Sequence, residues 1–398
     1  MNNKNIIKLK KIIPISFIVL FAATLFVPNT GLPRIAINAR EVAQQENRKI
    51  HPFPTASFTH KEFYNQFGNW YQDRLRHKYK LISAWKRVNF AFGVVLSDSL
   101  VLGKNGWLLN KYSCINKFEM PQKKADKIKE LQNYCEQNGK KFIFMLPPNK
   151  ESVYRDYFPE NIQKKYKSPE YWHEQAYNLL TANSINYLSV NKQLNGARKN
   201  EKYDLYFSDD HHWSYYGSAI AADLLMKKLE QELNIDFYNG LKFDGSTRTA
   251  YKEYSYANQL AFSINKEAQA PWSKQYTDEI YITDCYTSKT TQANKVVSND
   301  VLWGRIVRGE GIITNKATKN DIKILILGDS YSSYMVPYLS QNIKTIISTH
   351  YRDCAEKKKS VNITKLIEKY NPDAVILIML EGGFFHSKAE SLFKNIKY

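Results

Sequence analysis

Ile322-Lys323-Ile324-Leu325-Ile326-Leu327-Gly328-Asp329-Ser330-Tyr331-Ser332 sets a nearly continuous aliphatic run directly before a glycine-acid-serine turn. A run this apolar, with no polar alternation to offer solvent, reads as a strand buried on both faces, the kind found in parallel α/β sheets. The carboxyl ends of such strands line the crevice where these sheets bind ligands. Gly328 lets the backbone swing sharply. Ser330 then falls where a helix begins, its hydroxyl exposed and helix N–H groups near enough to hold an oxyanion. The competing reading of the same residues is a plain helix N-cap at Asp329 or Ser330.

Outward from this stretch, four more apolar runs read as strands: 141–146, stopped by Pro147-Pro148, then 185–190, 343–348 and 374–380. Helical periodicity fills the gaps at 123–138, closed by Gly139, at 170–183, and at 214–233, where Ile220, Leu224, Leu225 and Leu229 mark one face. Alternating strands and helices predict a parallel α/β sheet flanked by helices. Upstream, Asn105-Gly106 within Gly103–Leu108 marks a tight hairpin turn. Residues 58–92 carry Phe63, Phe67, Trp70, Tyr71, Leu75, Tyr79, Ile82 and Trp85 at helical spacing, an aromatic stripe expected in the core. Residues from about 240 to 315 are polar and tyrosine-rich, and read as an insertion capping the sheet.

The N-terminus narrows the compartment. Lys4, Lys8, Lys10 and Lys11 precede an apolar run from Ile12 to Val27, and Pro28-Asn29 ends it. This layout predicts a signal anchor over residues 1–29, with its basic end in the cytoplasm and no clear small-residue cleavage site. A stalk over 30–56 and one extracytoplasmic domain over 57–398 follow. The chain of 398 residues carries 57 Lys and Arg against 38 Asp and Glu, a net charge of +19. Such a surplus favours polyanionic partners. An exported chain without zinc-ligand spacing, helix-turn-helix punctuation or an RNA-binding aromatic motif sets nucleic acid aside and leaves anionic glycans or lipid head groups. Four cysteines, at 114, 135, 285 and 354, are too few for a disulfide scaffold, and their pairing is not readable.

A second motif supplies what a serine nucleophile needs. Asp210-His211-His212-Trp213 stands on a loop entering the 214–233 helix. A histidine can take the serine proton, and an aspartate two residues earlier can fix the tautomer of that histidine. Two other readings compete: a metal held by His211, His212 and an aspartate, and an N-cap cluster with Asp209 or Asp210 capping the helix.

These motifs together resemble the AlgJ/AlgX-type O-acetyltransferases, SGNH-hydrolase-like proteins that acetylate exopolysaccharides such as alginate. Glu46-Asn47-Arg48 with Pro52 and Pro54 is similar to the entry segment of the family. Gly103–Leu108 resembles its hairpin, and Pro147-Pro148-Asn149-Lys150 with Tyr154 and Pro159 resembles its proline-lysine stretch. Asp210-His211-His212-Trp213 and Gly328–Ser332 fit its two signature motifs. The resemblance implies Ser330 as nucleophile, His212 as general base and Asp210 as orienting carboxylate, with no cofactor and no metal; His211 holds the variable position.

Because Asp210 and His212 precede Ser330, the resemblance implies a circularly permuted SGNH order, in which 343–348 and 374–380 become its second and third strands. Their ends would supply the oxyanion region or substrate contacts: Tyr351 and Arg352 after one, Glu381 after the other, where the usual SGNH asparagine is absent; a structural salt bridge is the competing reading of Glu381 and Arg352. The short stretch after Gly383 leaves no room for a separate carbohydrate-binding module and matches the shorter, anchored branch. The implied activity is transfer of an acetyl group through a Ser330 acyl-enzyme onto a polysaccharide outside the membrane, with a membrane-bound O-acyltransferase partner as acetyl donor. The tyrosine-rich insertion offers aromatic rings for sugars. Two alternatives stay open: a deacetylating esterase using the same residues, and a non-catalytic glycan-binding subunit.

Overall fold

The computed structural model describes residues 49–114, 121–241, 310–350 and 363–385, apart from 76–77, 96, 98, 166–168 and 201–202. It also describes residues 39 and 42 and four short strands between 247 and 292. The segment 1–29 read as an anchor lies outside these residues, as do Tyr351 and Arg352. Among the described residues no helix is long and apolar enough to cross a membrane.

The chain divides into two compact units, Met1–Val88 and Asn89–Tyr398, and the boundary falls inside the segment 57–398. The first unit contains α1 (Lys61–Gln72), and α2 (Lys78–Ala91) begins in it. The aromatic stripe is helical but not core, which corrects the sequence expectation: neither helix buries a residue. The rings of α1 pack on one another instead, Phe67 lying 5.9 Å from Phe63, 5.5 Å from Trp70 and 6.2 Å from Tyr71 between centroids. Helical spacing puts side chains on one face; only an opposing apolar layer makes that face a core.

The second unit opens with a hairpin of β1 (Leu100–Leu102) and β2 (Leu108–Asn110). Its turn places Asn105 and Gly106 at φ 55° and 75°, the left-handed region the Asn-Gly pair predicted. Then come α3 (Gln122–Gln137), β3 (Lys141–Met145), α4 (Lys150–Val153), α5 (Glu160–Lys165), α6 (Pro169–Ala182), β4 (Tyr187–Leu188), α7 (Asn191–Asn200) and α8 (Tyr215–Leu233). The short strands β5 (Thr247–Thr249), β6 (Glu267–Gln269), β7 (Ile280–Asp284) and β8 (Thr290–Gln292) follow. The chain continues through β9 (Glu310–Asn315), β10 (Lys323–Gly328), α9 (Ser330–Leu339), β11 (Thr345–His350), α10 (Ile363–Tyr370), β12 (Ala374–Ile378) and α11 (Glu381–Phe385).

Eight strands form one sheet in the order β4-β3-β12-β10-β11-β9-β7-β8. The first five run parallel, and β9, β7 and β8 continue the sheet antiparallel. The expected parallel sheet is therefore mixed, and among the described residues the insertion extends its edge through β7, β8 and β9. Antiparallel addition needs only short turns, so a polar segment can lengthen a sheet without crossover helices. Counted from β10 as first and β4 as fifth, the parallel strands stand in the doubly wound order 2-1-3-4-5, whose switch point lies between β10 and β12.

Both faces of β10 are covered. Ile324 and Ile326 join a core with residues of α8 and α9, including Leu225, Met226 and Met335. Leu325 and Leu327 join a second core with residues of α3, α6 and α10, including Ile128, Leu180 and Ile367. Each of these four strand residues is at most 2% exposed, which is why the run has no polar alternation. Cys135 is a free, buried thiol on α3, and burial first, with the charge of Glu136 second, pushes its pKa up to about 12.

Candidate active site

Ser330 is the first residue of α9, half-buried at the carboxyl end of β10. Its position is fixed from both sides of the switch point. Asp329 has extended backbone and caps the helix, its carboxylate accepting from the N–H of Tyr331 at 3.0 Å and from the N–H of Leu380, beyond β12, at 2.7 Å. Asp329 is thus the N-cap and Ser330 is not; the two competing roles fall on adjacent residues. Gly328 is required by close approach and not by a special turn: a Cβ there would stand 2.4 Å from Oγ of Ser332 and 2.5 Å from its Cβ. Ser332 in turn donates to the Asp329 carbonyl at 2.6 Å. Asp329 takes up the first-turn N–H groups of Tyr331 and Ser332, through its carboxylate and its carbonyl. That leaves the Ser330 N–H beside its own hydroxyl at the positive end of the helix.

The histidine motif rides a tight loop. Tyr206 bridges to Trp213, the Phe207 N–H reaches the His212 carbonyl at 3.2 Å, and the Ser214 N–H reaches the Leu205 carbonyl at 2.8 Å. Ser214, not Asp209 or Asp210, caps α8 by accepting from the Gly217 N–H at 3.1 Å. The loop is clamped from below by Lys150, whose fully buried ammonium donates to the carbonyls of Leu108, Phe207 and Ser208 at 2.5, 3.1 and 3.3 Å. A buried ammonium needs this many acceptors to offset its lost hydration. Trp213, fully buried, lies 4.9 Å from the ring of Tyr331 and locks loop to helix.

With both supports in place, three predicted residues meet. Nε2 of His212 is 2.7 Å from Oγ of Ser330, and its Nδ1 is 2.9 Å from Oδ1 of Asp210. The same carboxylate oxygen also takes the His212 N–H at 3.2 Å. An acceptor on Nδ1 leaves Nε2 as the basic nitrogen facing the hydroxyl. Burial alone would raise the pKa of Asp210. The charge of His212 and hydrogen bonds from both histidines prevail and hold it well below the usual carboxylate range.

His211 does not point away from its neighbour. Its Nδ1 is 3.0 Å from the same Asp210 oxygen, and the two imidazoles lie 3.8 Å apart between centroids. Burial first, and then the charge of His212, lower its pKa, which favours the neutral ring beside His212. Asp210, His211 and His212 form a group whose ligand atoms lie within 4.8 Å of one another. The separations of 2.9 and 3.0 Å are nevertheless hydrogen-bond lengths, shorter than the ~3.3 Å between two ligands of one tetrahedral zinc. The residues present fit a proton relay better than a metal.

Of the two readings of Glu381, its surroundings favour the structural one. Fully enclosed, its carboxylate accepts from the Asn149 N–H at 2.8 Å and from the Ser152 hydroxyl at 2.6 Å, with Nε2 of His173 at 3.4 Å. Burial would raise its pKa, but the charge of His173 and these hydrogen bonds lower it. An ionised carboxylate only accepts and repels a developing oxyanion, so Glu381 is no oxyanion donor; it braces the loop beside Asp329.

Sequence reasoning also left out Tyr334, whose ring stacks on His212 at 5.1 Å and 23°. The signal was its place four residues after Ser330 on the same helix face. The role of Lys150 had a weaker signal, a lone lysine just after a strand end and two prolines.

No curated protein matches the chain. Among solved structures, PatB1 of Bacillus cereus, solved with a sulfonyl adduct, superposes with a TM-score of 0.53 at 19% identity, over 74% of this chain and 99% of its own. A DHHW family protein from Eubacterium siraeum DSM 15702 gives 0.56 at 16% identity, over 76% and 98%; Asp210–Trp213 spells the same four letters here. Both likenesses are of fold. Residues 100–371, which hold the histidine loop, the serine turn and every strand of the sheet except β12, match the family described as SGNH hydrolase-like domain, acetyltransferase AlgX, and the chain belongs to that family.

Proposed function

We propose that this protein is an extracytoplasmic polysaccharide O-acetyltransferase working through Ser330, His212 and Asp210. The observation that carries the reading is the unbroken relay of 2.7 and 2.9 Å from Oγ through the imidazole to the carboxylate. His212 takes the Ser330 proton through Nε2 as Oγ attacks the acetyl carbonyl of the donor. The Ser330 N–H and the positive end of α9 receive the oxyanion, and the proton passes from His212 to the leaving group. A sugar hydroxyl then gives its proton to His212 and attacks the acetyl-serine, and His212 returns that proton to Oγ as the acyl bond breaks, releasing the acetylated polymer and free Ser330. Asp210 keeps the imidazole oriented and stabilises its charged form.

Membership of an acetyltransferase family favours a hydroxyl acceptor over water. The segment 1–29 would tether the enzyme at the membrane, where an O-acyltransferase partner hands over acetyl groups from the cytoplasm. We read the chain as circularly permuted relative to ordinary SGNH hydrolases, and the 2-1-3-4-5 strand order counted from β10 supports this.

The test is incubation of the full chain with an activated acetyl ester, with and without an oligosaccharide. Acetylated sugar and an acetyl group mapped to Ser330 by mass spectrometry are the expected products. Free acetate released at a rate indifferent to sugar would replace transferase by esterase. PatB1 was solved with a sulfonyl adduct, and sulfonyl fluoride labelling of this chain is expected at Ser330 and lost in Ser330→Ala.

A further inference from the structure

A cavity of about 1140 Å³ opens between α6 and α7, outside the Ser330 site. It lies beyond Leu188, at the carboxyl end of β4, on the same rim of the parallel sheet as Ser330. Three strand spacings of ~4.8 Å separate β4 from β10, so the cavity stands about 14 Å along that rim.

Its wall carries primary amides and an imidazole joined by hydrogen bonds. Nδ2 of Asn195 donates to Oδ1 of Asn191 at 2.8 Å, and Nδ2 of Asn191 lies 3.1 Å from Nδ1 of His173. Nε2 of His173 then faces Glu381, which also holds Ser152. This chain, buried except at Asn195, fixes the amide groups in advance, and primary amides match the paired donor and acceptor of a sugar hydroxyl. The charge of the lining is unbalanced: Arg155, Lys192, Arg198 and Lys199 stand against Asp156 and Glu174. Arg198 is engaged by Asp156 at 2.6 Å, and Lys192 and Lys199 lie exposed on the α7 side.

Gly196 completes the observation. It sits inside α7, where glycine costs a helix ~1 kcal/mol relative to alanine. No turn or close packing demands it, since a Cβ there would meet nothing within 4 Å. What it leaves is room above the helix, inside the cavity it lines.

We infer that this cavity binds a carboxylated segment of the glycan acceptor, a few sugar units from the one presented to Ser330. The inference rests on the acetyl-transfer reading for its purpose, but binding is measurable without catalysis. Titrate the full chain with a short uronic acid oligomer and with a neutral hexose oligomer of equal length. Ser330→Ala is expected to bind the acidic oligomer as the native chain does while forming no acetylated product. Gly196→Phe fills the cavity while improving helix propensity, and is expected to weaken binding about tenfold or more. Inverting Lys192 and Lys199 to glutamate is expected to do the same, and added salt to weaken the native complex. Native affinity in both Gly196→Phe and the double inversion, with thermal midpoints showing both folded, overturns the site. Equal affinity for the neutral oligomer overturns its preference for charge. Loss of acetyl transfer in the native chain with oligomer binding intact would sink the transferase reading and leave the site standing.

Discussion

Among the described residues two constellations join a carboxylate, an imidazole and a serine hydroxyl, and they differ in order. In one, His212 stands between the carboxylate of Asp210 and the hydroxyl of Ser330. In the other, the carboxylate of Glu381 stands between His173 and Ser152, and Ser152 donates straight to it at 2.6 Å. A serine whose proton is held by a carboxylate that is itself held below its usual pKa has no base to lose it to. A serine facing the basic nitrogen of an oriented imidazole does. Exposure divides them further: Ser152 is buried at 3% and Ser330 stands half-open at a helix start. Composition does not make a nucleophile; the sequence of hydrogen bonds does.

The sharpest way to break this contrast is to remove each serine. Ser330→Ala is expected to lower acetyl transfer by roughly 10⁴-fold or more, in line with other serine–histidine–acid sites. Ser152→Ala is expected to leave sulfonyl labelling of Ser330 in place, so labelling lost in Ser152→Ala and kept in Ser330→Ala would reverse the assignment. Next in size, Asp210→Asn keeps the shape but no longer fixes the tautomer, and kcat is expected to fall by about 10⁴. A loss of only a few-fold would mean that another group orients His212.

The carboxylate of the second constellation is predicted to show itself in stability. The folded pKa of Glu381 lies below its unfolded value of about 4.3. Its contribution is therefore complete above that value and is lost as pH falls toward the folded pKa. Glu381→Gln is expected to cost about 2–3 kcal/mol at pH 7, read from urea midpoints, and to narrow its gap from the native chain as pH falls below about 4. A gap constant with pH would show that the charge of Glu381 adds nothing. The smallest effect is expected at His211. With its pKa lowered and sharing the Asp210 oxygen that His212 retains, it is predicted to change kcat by only a few-fold as His211→Gln. A loss approaching that of Asp210→Asn would make it a working member of the relay.

Much of the site was legible because chemistry and place were encoded locally. The aliphatic run 322–327 announced its own double burial, and the Gly-Asp-Ser turn had to fall at its carboxyl end. Asp210 and His212 are two residues apart, so their contact is nearly a property of the loop. The clamp by Lys150 was not legible, because its acceptors are carbonyls 42, 57 and 58 residues away, and carbonyls leave no trace in residue identity. The aromatic stripe of α1 was misjudged for a related reason: period fixes a face, and burial depends on what comes opposite.

By itself, then, the sequence determined the strands and helices of the parallel part of the sheet, the family and the three residues that meet at Ser330, since these follow from local patterning and motif chemistry. Only the tertiary structure decided that the insertion lengthens the sheet, that Glu381 braces rather than donates, and that 118 residues of chain close to a 2.7 Å contact. Those outcomes depend on which distant backbone groups and packed layers meet a side chain, and contact free energies of that kind exist only once the chain is folded.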